Sequence, residues 1–154
     1  MRVLALRGAH VIGTARTQER AAAACAQVQG RTTPEALELS DFDSVAACAN
    51  RIVAAGAPID ILICNAGVLF GELRQVRGRE LHFVVNHLGH FVLTNRLIER
   101  VIAALQGRVI TVGSNNHKEA PEGGIQFDRL SGEGWSYFYH HSKLANGLFS
   151  LHLA

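Results

Sequence analysis

The stretch IDILICNAG, residues 59–67, decides the fold. Apart from Asp60, residues 59–64 are apolar and mostly β-branched or aliphatic, which is typical of a parallel strand that is covered on both faces. Small and polar residues follow at Asn65, Ala66 and Gly67, where the strand should end. The stretch therefore predicts a buried strand whose carboxyl end opens into a loop, the place where open parallel sheets bind ligands.

Short apolar runs and longer helical stretches alternate on both sides of this strand. We expect strands at residues 10–15, 35–39, 59–64 and 108–112, and helices at 1–7, 17–29, 40–55, 79–105 and 137–154, with Ser40 or Asp41 as the cap of the third helix. Such alternation is typical of a parallel α/β sheet. The sequence therefore predicts one parallel α/β domain over residues 1–154.

Composition excludes several classes of protein. The chain is 48% hydrophobic and 18% charged, with a formal net charge of +2 and no basic stripe, so we expect no nucleic-acid partner. The longest apolar run, residues 59–70, is too short and too interrupted to span a bilayer, and the first residues do not form a signal peptide. Three widely spaced cysteines form no disulfide framework, so we expect a reducing, cytoplasmic location.

Two polar features stand out in the helices. Tyr139 and Lys143 are four residues apart, so on a helix they share one face. An ammonium beside a phenol favours the tyrosinate, and such a tyrosine can exchange a proton with an oxygen atom. Asn86 lies on the apolar side of the long helix, where its amide needs partners. Taken alone, the Tyr139–Lys143 spacing also fits a chance match, and Asn86 also fits a structural tie between helix and loop.

Four segments together resemble the short-chain dehydrogenase/reductase family, in particular its retinol-dehydrogenase-like branch. They occur in the family's order and spacing, and the resemblance covers essentially the whole chain. The segments are residues 61–67 (ILICNAG), 85–91 (VNHLGHF), 108–114 (RVITVGS) and 139–146 (YHHSKLAN).

The resemblance implies roles for individual residues. Tyr139 would be the catalytic acid or base, Lys143 would assist it and hold the nicotinamide ribose, Ser114 would bind the substrate oxygen, and Asn86 would anchor a water in the proton relay. The residues implied to contact the cofactor are Arg16, Glu38, Leu39, Asn65, Ala66, Gly67, Tyr139 and Lys143. The reaction implied is hydride transfer between a nicotinamide and an alcohol or carbonyl compound, and the relatives on this branch suggest a lipophilic one.

The choice between NADP(H) and NAD(H) depends on the end of the second family strand, which reads Gly13-Thr14-Ala15-Arg16. NAD-binding relatives place a carboxylate there for the ribose 2′-hydroxyl, whereas a guanidinium suits a 2′-phosphate. Arg16 therefore favours NADP(H), and an ordinary surface arginine remains the alternative. Glu38 occupies a position where the family often has Asp near the adenine.

The sequence departs from the family at both ends. It contains no TGxxxGxG turn, Met1 aligns inside the helix that should follow that turn, and the chain stops at the close of the Tyr139 helix. The resemblance implies a Rossmann-like, doubly wound parallel sheet that is incomplete, because it lacks the family's first strand and its C-terminal strands. Residues 1–154 would then form a partial NAD(P)-binding Rossmann domain. An alternative function follows, that of a catalytically inactive remnant that acts through dimerisation or interaction, because the helices at 79–105 and 137–154 form the usual dimer interface of the family.

Histidines raise a third hypothesis, a metal site. The candidates are His87, His90, His140 and His141, of which the last two are adjacent and cannot share one helix face. No carboxylate or thiolate completes a coordination set with them. The sequence therefore predicts no metal.

Overall fold

The computed structural model describes all residues, 1–154, and its sheet is divided into two parallel pairs of strands. The strands are β1 (Val11–Ala15), β2 (Thr32–Ala36), β3 (Ile61–Cys64), β4 (Gln75–Val76), β5 (Arg79–Glu80) and β6 (Arg108–Thr111). β1 pairs with β2 and β3 pairs with β6, both in parallel, while β4 and β5 form a short antiparallel hairpin. No ladder of hydrogen bonds joins the two parallel pairs. The prediction of an incomplete parallel α/β fold is thus confirmed.

Five α-helices cover the strands, and local sequence signals place their ends. They are α1 (Arg2–Leu6), α2 (Gln18–Ala26), α3 (Phe42–Ala54), α4 (Gly89–Ile102) and α5 (Phe138–Leu153), with a π-helical turn at Phe83–Leu88 and 3₁₀ turns at Asn115–Glu119 and Phe127–Arg129. Thr17 caps α2 by accepting a hydrogen bond from the Arg20 N–H. Asp41, rather than Ser40, caps α3. Gly8 follows α1 with a φ of +91°, the left-handed conformation expected at that position.

Two predicted boundaries were wrong. The second strand lies at Thr32–Ala36 and not at 35–39, because Pro34 lies inside a strand that pairs on one side only and needs no N–H on the other. The long helix predicted from residue 79 begins later, since residues 79–80 belong to the hairpin. The Glu80 carboxylate accepts hydrogen bonds from the backbone N–H groups of His82 and Phe83, and this cap marks the beginning of the helical segment.

The expectation that β3 is buried on both faces was also wrong. Leu62 packs against the core and Cys64 is buried, but Ile61 and Ile63 on the opposite face are 39% and 44% exposed. Ile110 of the neighbouring strand β6 is 43% exposed on the same side. Helix α4 contacts β3 and β6 and helix α5 contacts β6, yet these side chains stay exposed, so the apolar pattern of β3 exceeds what the chain itself buries.

Two large groups of buried residues differ in composition, and a third, small apolar cluster comprises Phe83, Trp135 and Ala145. The first, here called the aliphatic core, comprises Leu37, Leu39, Val45, Cys48, Ala49, Ile52, Val85, Leu93 and Leu97. It joins α3 to α4, and a Cβ added at Gly89 would lie 2.5 Å from the Leu39 carbonyl oxygen, so only glycine permits this approach. The second, here called the polar core, comprises the buried residues Glu80, His82, Asn86, His90, Thr94, His140, His141, Ser142, Lys143 and Asn146.

Candidate active site

Tyr139 and Lys143 lie in the first turns of α5, close to the end of β6. Lys143 is 5% exposed, and its Nζ donates a hydrogen bond of 2.8 Å to the carbonyl oxygen of Val112, which follows β6. The same Nζ lies 5.4 Å from the centre of the half-buried Tyr139 ring. The helix therefore holds a cation next to a phenol at the carboxyl end of a parallel strand, where such sheets bind ligands.

Asn86 is fully buried in the π-helical turn and joins three segments. Its Oδ1 accepts the Val68 N–H at 2.7 Å, and its Nδ2 donates to the Val68 carbonyl and to Ser142 Oγ, both at 3.1 Å. The backbone carbonyl of Asn86 also accepts from Asn146 Nδ2 at 3.0 Å and lies 3.1 Å from His90 Nδ1. Asn86 thus ties the loop after β3 to the helix that carries Tyr139 and Lys143.

The π-helical turn gives Asn86 this geometry. The N–H of Gly89 bonds to the Val84 carbonyl, five residues back rather than four. Such turns change the direction of side chains and carbonyl groups within a helix and occur often at functional sites. The predicted long helix is therefore interrupted at the point where the sequence places Asn86.

Ser114 follows β6 and caps the 3₁₀ turn at Asn115–Glu119. Its Oγ donates to Asn116 Oδ1 at 2.8 Å and accepts from the Asn116 N–H at 3.3 Å. Asn116 Nδ2 lies 2.9 Å from Nε2 of His140, the neighbour of Tyr139 in α5. Ser114 is thereby connected to the Tyr139 helix through Asn116 and His140, and its hydroxyl would have to leave Asn116 in order to donate to a substrate oxygen.

The residues predicted to contact a cofactor follow the carboxyl ends of β1, β2 and β3. Asn65, Ala66 and Gly67 are exposed in the loop after β3, and Arg16 is exposed directly after β1. Gly67 faces the Asn86 side chain, which a Cβ at this position would approach to 3.1 Å. These exposed positions with small side chains and one guanidinium fit the adenosine side of a nicotinamide dinucleotide.

Two of the predicted cofactor contacts already have partners inside the chain. The Glu38 carboxylate accepts hydrogen bonds from the Ser40 N–H at 3.0 Å and from Ser40 Oγ at 2.8 Å. The Leu39 side chain belongs to the aliphatic core and is 5% exposed. A cofactor could therefore contact Leu39 only through its backbone atoms. It could contact Glu38 only while the carboxylate keeps its hydrogen bonds to Ser40.

The buried histidines next to the site are held in their neutral form. Burial lowers the pKa of His87, although the hydrogen bond that its Nδ1 donates to Asn146 Oδ1 opposes the shift. Burial also lowers the pKa of His90, and the nearby Lys143 ammonium lowers it further. Lys143 therefore shares this part of the interior with His87 and His90, whose lowered pKa values favour neutral imidazoles.

Other chemistries find little support among the side chains. No group of three or more His, Cys, Asp or Glu side chains is arranged to hold a metal ion. The three cysteines are free and buried; burial raises the pKa of Cys48 to about 11 and also raises that of Cys64, which keeps these two thiols protonated at neutral pH. None of the helices has both the length and the apolar character that a bilayer crossing requires. The cytoplasmic location stays a prediction.

Several residues of this site were not identified from the sequence. Ser142 and Asn146, four residues apart on α5, form hydrogen bonds with Asn86. The His82 ring contacts the Tyr139 ring, and Glu80 is the hydrogen-bond partner of His82. A signal was present, because polar residues at helical spacing on a face that must be buried need partners. The identity of those partners depends on contacts between residues about 60 positions apart, as with Asn146 and Asn86.

Comparison with known proteins agrees with this geometry. The family model for short chain dehydrogenases matches residues 1–127. Retinol dehydrogenase 12 of Mus musculus is 38% identical over 99% of this chain, and retinol dehydrogenase 11 of Homo sapiens is 37% identical over 98%. A crystal structure of a metagenomic short-chain oxidoreductase in complex with NADP superposes with a TM-score of 0.71 at 28% identity, and the match covers 98% of this chain and 66% of that one.

These matches differ in how much they cover. This chain spans 50% of the mouse protein and 49% of the human protein. Tyr139 and Lys143 lie beyond the residues that the family model matches, but within the part aligned to the two retinol dehydrogenases, since that alignment takes in nearly the whole chain. The family model and the relatives together show that this chain belongs to the short-chain dehydrogenase/reductase family.

Proposed function

We propose that this chain carries the proton-transfer part of an NAD(P)-dependent oxidoreductase that interconverts an alcohol and a carbonyl compound. The observation that supports it most directly is the Lys143 ammonium, held by the Val112 carbonyl 5.4 Å from the Tyr139 ring. Asn86 is linked to the same helix, because its Nδ2 donates to Ser142 Oγ, which in turn donates to the Tyr139 carbonyl oxygen. Membership of the family supports the reaction class.

Each side chain has a role in this proposal. Tyr139 gives a proton to a carbonyl oxygen or takes one from an alcohol, and the Lys143 ammonium stabilises the tyrosinate that results. Ser114 orients the substrate oxygen, and Asn86 fixes the loop after β3. A bound nicotinamide would supply the hydride, and the protein residues would position the substrate and manage the proton.

We propose NADP(H) rather than NAD(H) as the cofactor. Arg16 is exposed at the end of β1, and its guanidinium suits a 2′-phosphate better than a 2′-hydroxyl. A similar crystal structure contains NADP. Asn65, Ala66 and Gly67 would accommodate the adenosine side, and Lys143 the nicotinamide ribose.

A lipophilic alcohol or aldehyde is the substrate class that we propose. Several of the relatives are retinol dehydrogenases by name. Leu69 is 69% exposed next to Phe70, whose ring packs on His82 beside Tyr139, so apolar side chains extend from the proposed reaction site.

We further propose that two copies of this chain associate through α4 and α5. The Phe91 and Phe149 rings lie 5.2 Å apart on the outside of these helices, and Phe91 is 41% exposed. Leu148 and Leu151 on α5 are 50% and 79% exposed. Exposed apolar side chains on two adjacent helices are typical of an interface. Charged substitutions such as Leu151→Glu should then reduce the mass measured by sedimentation velocity.

The alternative is an inactive family member that acts through an interface, and it is supported by the exposed apolar side chains of α4 and α5. Cofactor binding separates the two functions. The chain has one tryptophan, Trp135, which contacts the polar core, so NADPH titration can be followed by its fluorescence. Saturable quenching supports the oxidoreductase, and no binding at millimolar NADPH supports the alternative.

The chain contains two tyrosines, which provide a matched pair of variants for the catalytic test. Tyr139→Phe should lower the rate of NADPH-dependent reduction of all-trans-retinal about 10²- to 10⁴-fold, the usual contribution of a general acid. Tyr137→Phe, two positions away and exposed, should retain the rate. Equal rates in both variants would exclude Tyr139 as the proton donor.

A further inference from the structure

A buried carboxylate and a buried imidazole lie beneath Tyr139. Glu80 and His82 are both 0% exposed, and Glu80 caps the helical segment that contains Asn86. Its carboxylate accepts the His82 and Phe83 backbone N–H groups at 2.9 and 2.8 Å. The same carboxylate lies 2.6 Å from His82 Nδ1. A helix N-terminus stabilises a carboxylate in this position, so Glu80 gives the imidazole a fixed hydrogen-bond partner.

The second ring nitrogen of His82 defines the protonation state. Nε2 lies 2.8 Å from the backbone N of Phe70, in the loop that follows β3. A backbone N–H can only donate, so Nε2 must accept, and the proton of the neutral ring is on Nδ1, from which it is donated to Glu80. Both ring nitrogens are therefore occupied, and the fully buried pair has no free position from which to exchange a proton with a substrate.

The His82 ring also contacts the beginning of α5. Its centre lies 6.3 Å from that of Tyr139, with the two planes at 82°, and 6.3 Å from that of Phe138, with the planes nearly parallel at 4°. Phe70 packs on the ring from the loop side at 5.6 Å. One imidazole thus has a hydrogen bond to the loop after β3 and an edge-to-face contact with the proposed proton donor.

We propose that His82, oriented by Glu80, is a positioning residue that holds the loop of residues 65–70 and the Tyr139 ring in a fixed relation to each other. The inference rests on the proposed function, in which this loop and Tyr139 contact opposite ends of the dinucleotide. Its physical basis is the Phe70 N–H, which would lack a partner without the imidazole acceptor and would favour a displaced loop.

Two amide substitutions separate the two bonds of the ring. In His82→Gln, the side-chain oxygen reaches about as far as Nε2 and can still accept the Phe70 N–H. In His82→Asn, the shorter amide occupies the place of Nδ1 and can still donate to Glu80, but leaves Phe70 without an acceptor. Both variants remove the ring and its packing, and each keeps one of its two hydrogen bonds, so urea unfolding of both compares the bond to Phe70 with the bond to Glu80.

Hydrogen exchange of the Phe70 amide measures the proposed tie in the cofactor-free chain. We expect the amide to be protected in the wild type and in His82→Gln, and to exchange at least about tenfold faster in His82→Asn, the factor that corresponds to loss of one buried hydrogen bond. Equal exchange rates in the two variants would overturn the proposal. If neither variant folds, the ¹⁵N shifts of His82 in the wild-type protein still decide, because an Nε2–H tautomer is incompatible with the bond to Phe70.

NADPH affinity and the Tyr139 ring resonances test the positioning role. We expect His82→Asn to weaken NADPH binding about tenfold more than His82→Gln and to shift the Tyr139 ring signals further, with Tyr137→Phe as the background so that one tyrosine remains. The two variants could differ in exchange of the Phe70 amide but not in the Tyr139 ring signals. His82 would then fix only the loop and not Tyr139, and the proposal would be overturned. A wild-type chain that fails to bind NADPH contradicts the proposed function, while the exchange and ring measurements still decide the role of His82.

Discussion

The aliphatic core and the polar core lie side by side along the segment from residue 80 to residue 101, yet they are built on opposite principles. Between α3 and α4, nearly every buried side chain is aliphatic, and the contacts are non-directional. In the polar core, ten buried residues are polar or charged, and most of them have directional partners. The first arrangement tolerates small shifts of atoms, whereas the second fixes atoms in place, which is what a proton-transfer site requires.

Truncation of the aliphatic core gives the largest expected effect. Leu97 is 1% exposed in α4 and belongs to this core. Leu97→Ala removes buried methyl groups and leaves a cavity, so we expect a loss of about 2–5 kcal/mol in the free energy of unfolding, measured by urea denaturation. Ile102→Ala, in the same helix but 67% exposed, is the control and should change stability little. Similar losses in both variants would mean that the aliphatic core does not dominate stability.

An apolar substitution in the polar core should lower the free energy of unfolding less than Leu97→Ala does, and its effect should be confined to the segments that the lost hydrogen bonds join. Asn86→Leu removes an amide that satisfies both backbone groups of Val68 and leaves them without partners. We expect a loss of about 1–3 kcal/mol. Asn95→Leu is the matched control, because Asn95 is exposed in α4 and bonds only to the carbonyl of Phe91. Thermal unfolding in which both variants match the wild type would contradict the role of Asn86 as a tie between segments.

His141 differs from the other residues of the polar core because its side chain has no hydrogen-bond partner. It is fully buried and stacked on Trp135 with ring centres 4.0 Å apart, but neither of its ring nitrogens has a hydrogen-bond partner. His141→Phe keeps a ring of similar shape and removes two unsatisfied polar atoms, so we expect a gain of about 1 kcal/mol in stability. His152→Phe, at an exposed position of the same helix, should have no such effect. A loss of stability in His141→Phe would indicate an unrecognised partner of the imidazole.

The same substitution should change the pH dependence of stability. Burial lowers the pKa of His87, His90 and His141 in the folded chain below the ordinary value of 6.5, although Glu80 opposes the shift at His141. Below pH 6.5 these histidines bind more protons in the unfolded chain than in the folded chain. The free energy of unfolding should therefore decrease as the pH falls through 6.5, and the contribution of the neutral histidines should be fully present above it. His141→Phe removes one of the three groups and should make the decrease shallower, as measured by melting temperatures across this range.

The sequence predicted those parts of the molecule that depend on local pattern. Tyr139 and Lys143 share a helix because they are four residues apart, and Thr17 and Gly8 mark helix ends through their own chemistry. Ser142 and Asn146 were not predicted as partners of Asn86, because a pairing across about 60 residues leaves no local pattern. The predicted start of the long helix at residue 79 was wrong for a related reason. The helical segment begins where the Glu80 carboxylate caps it, and the apolar periodicity of the following residues does not reveal this cap.

The exposed face of β3 allows the smallest effect to be predicted. A continuous apolar strand indicates burial on both faces, but whether a face is covered depends on what lies above it, and here Ile63 is 44% exposed while its neighbour Leu62 packs against the aliphatic core. Ile63→Thr should therefore change the free energy of unfolding by no more than about 0.5 kcal/mol. Leu62→Thr, one residue earlier on the opposite face, should cost clearly more because it places a hydroxyl beside aliphatic side chains. Equal losses from the two substitutions in a urea titration of the same chain would mean that the Ile63 face is covered in solution.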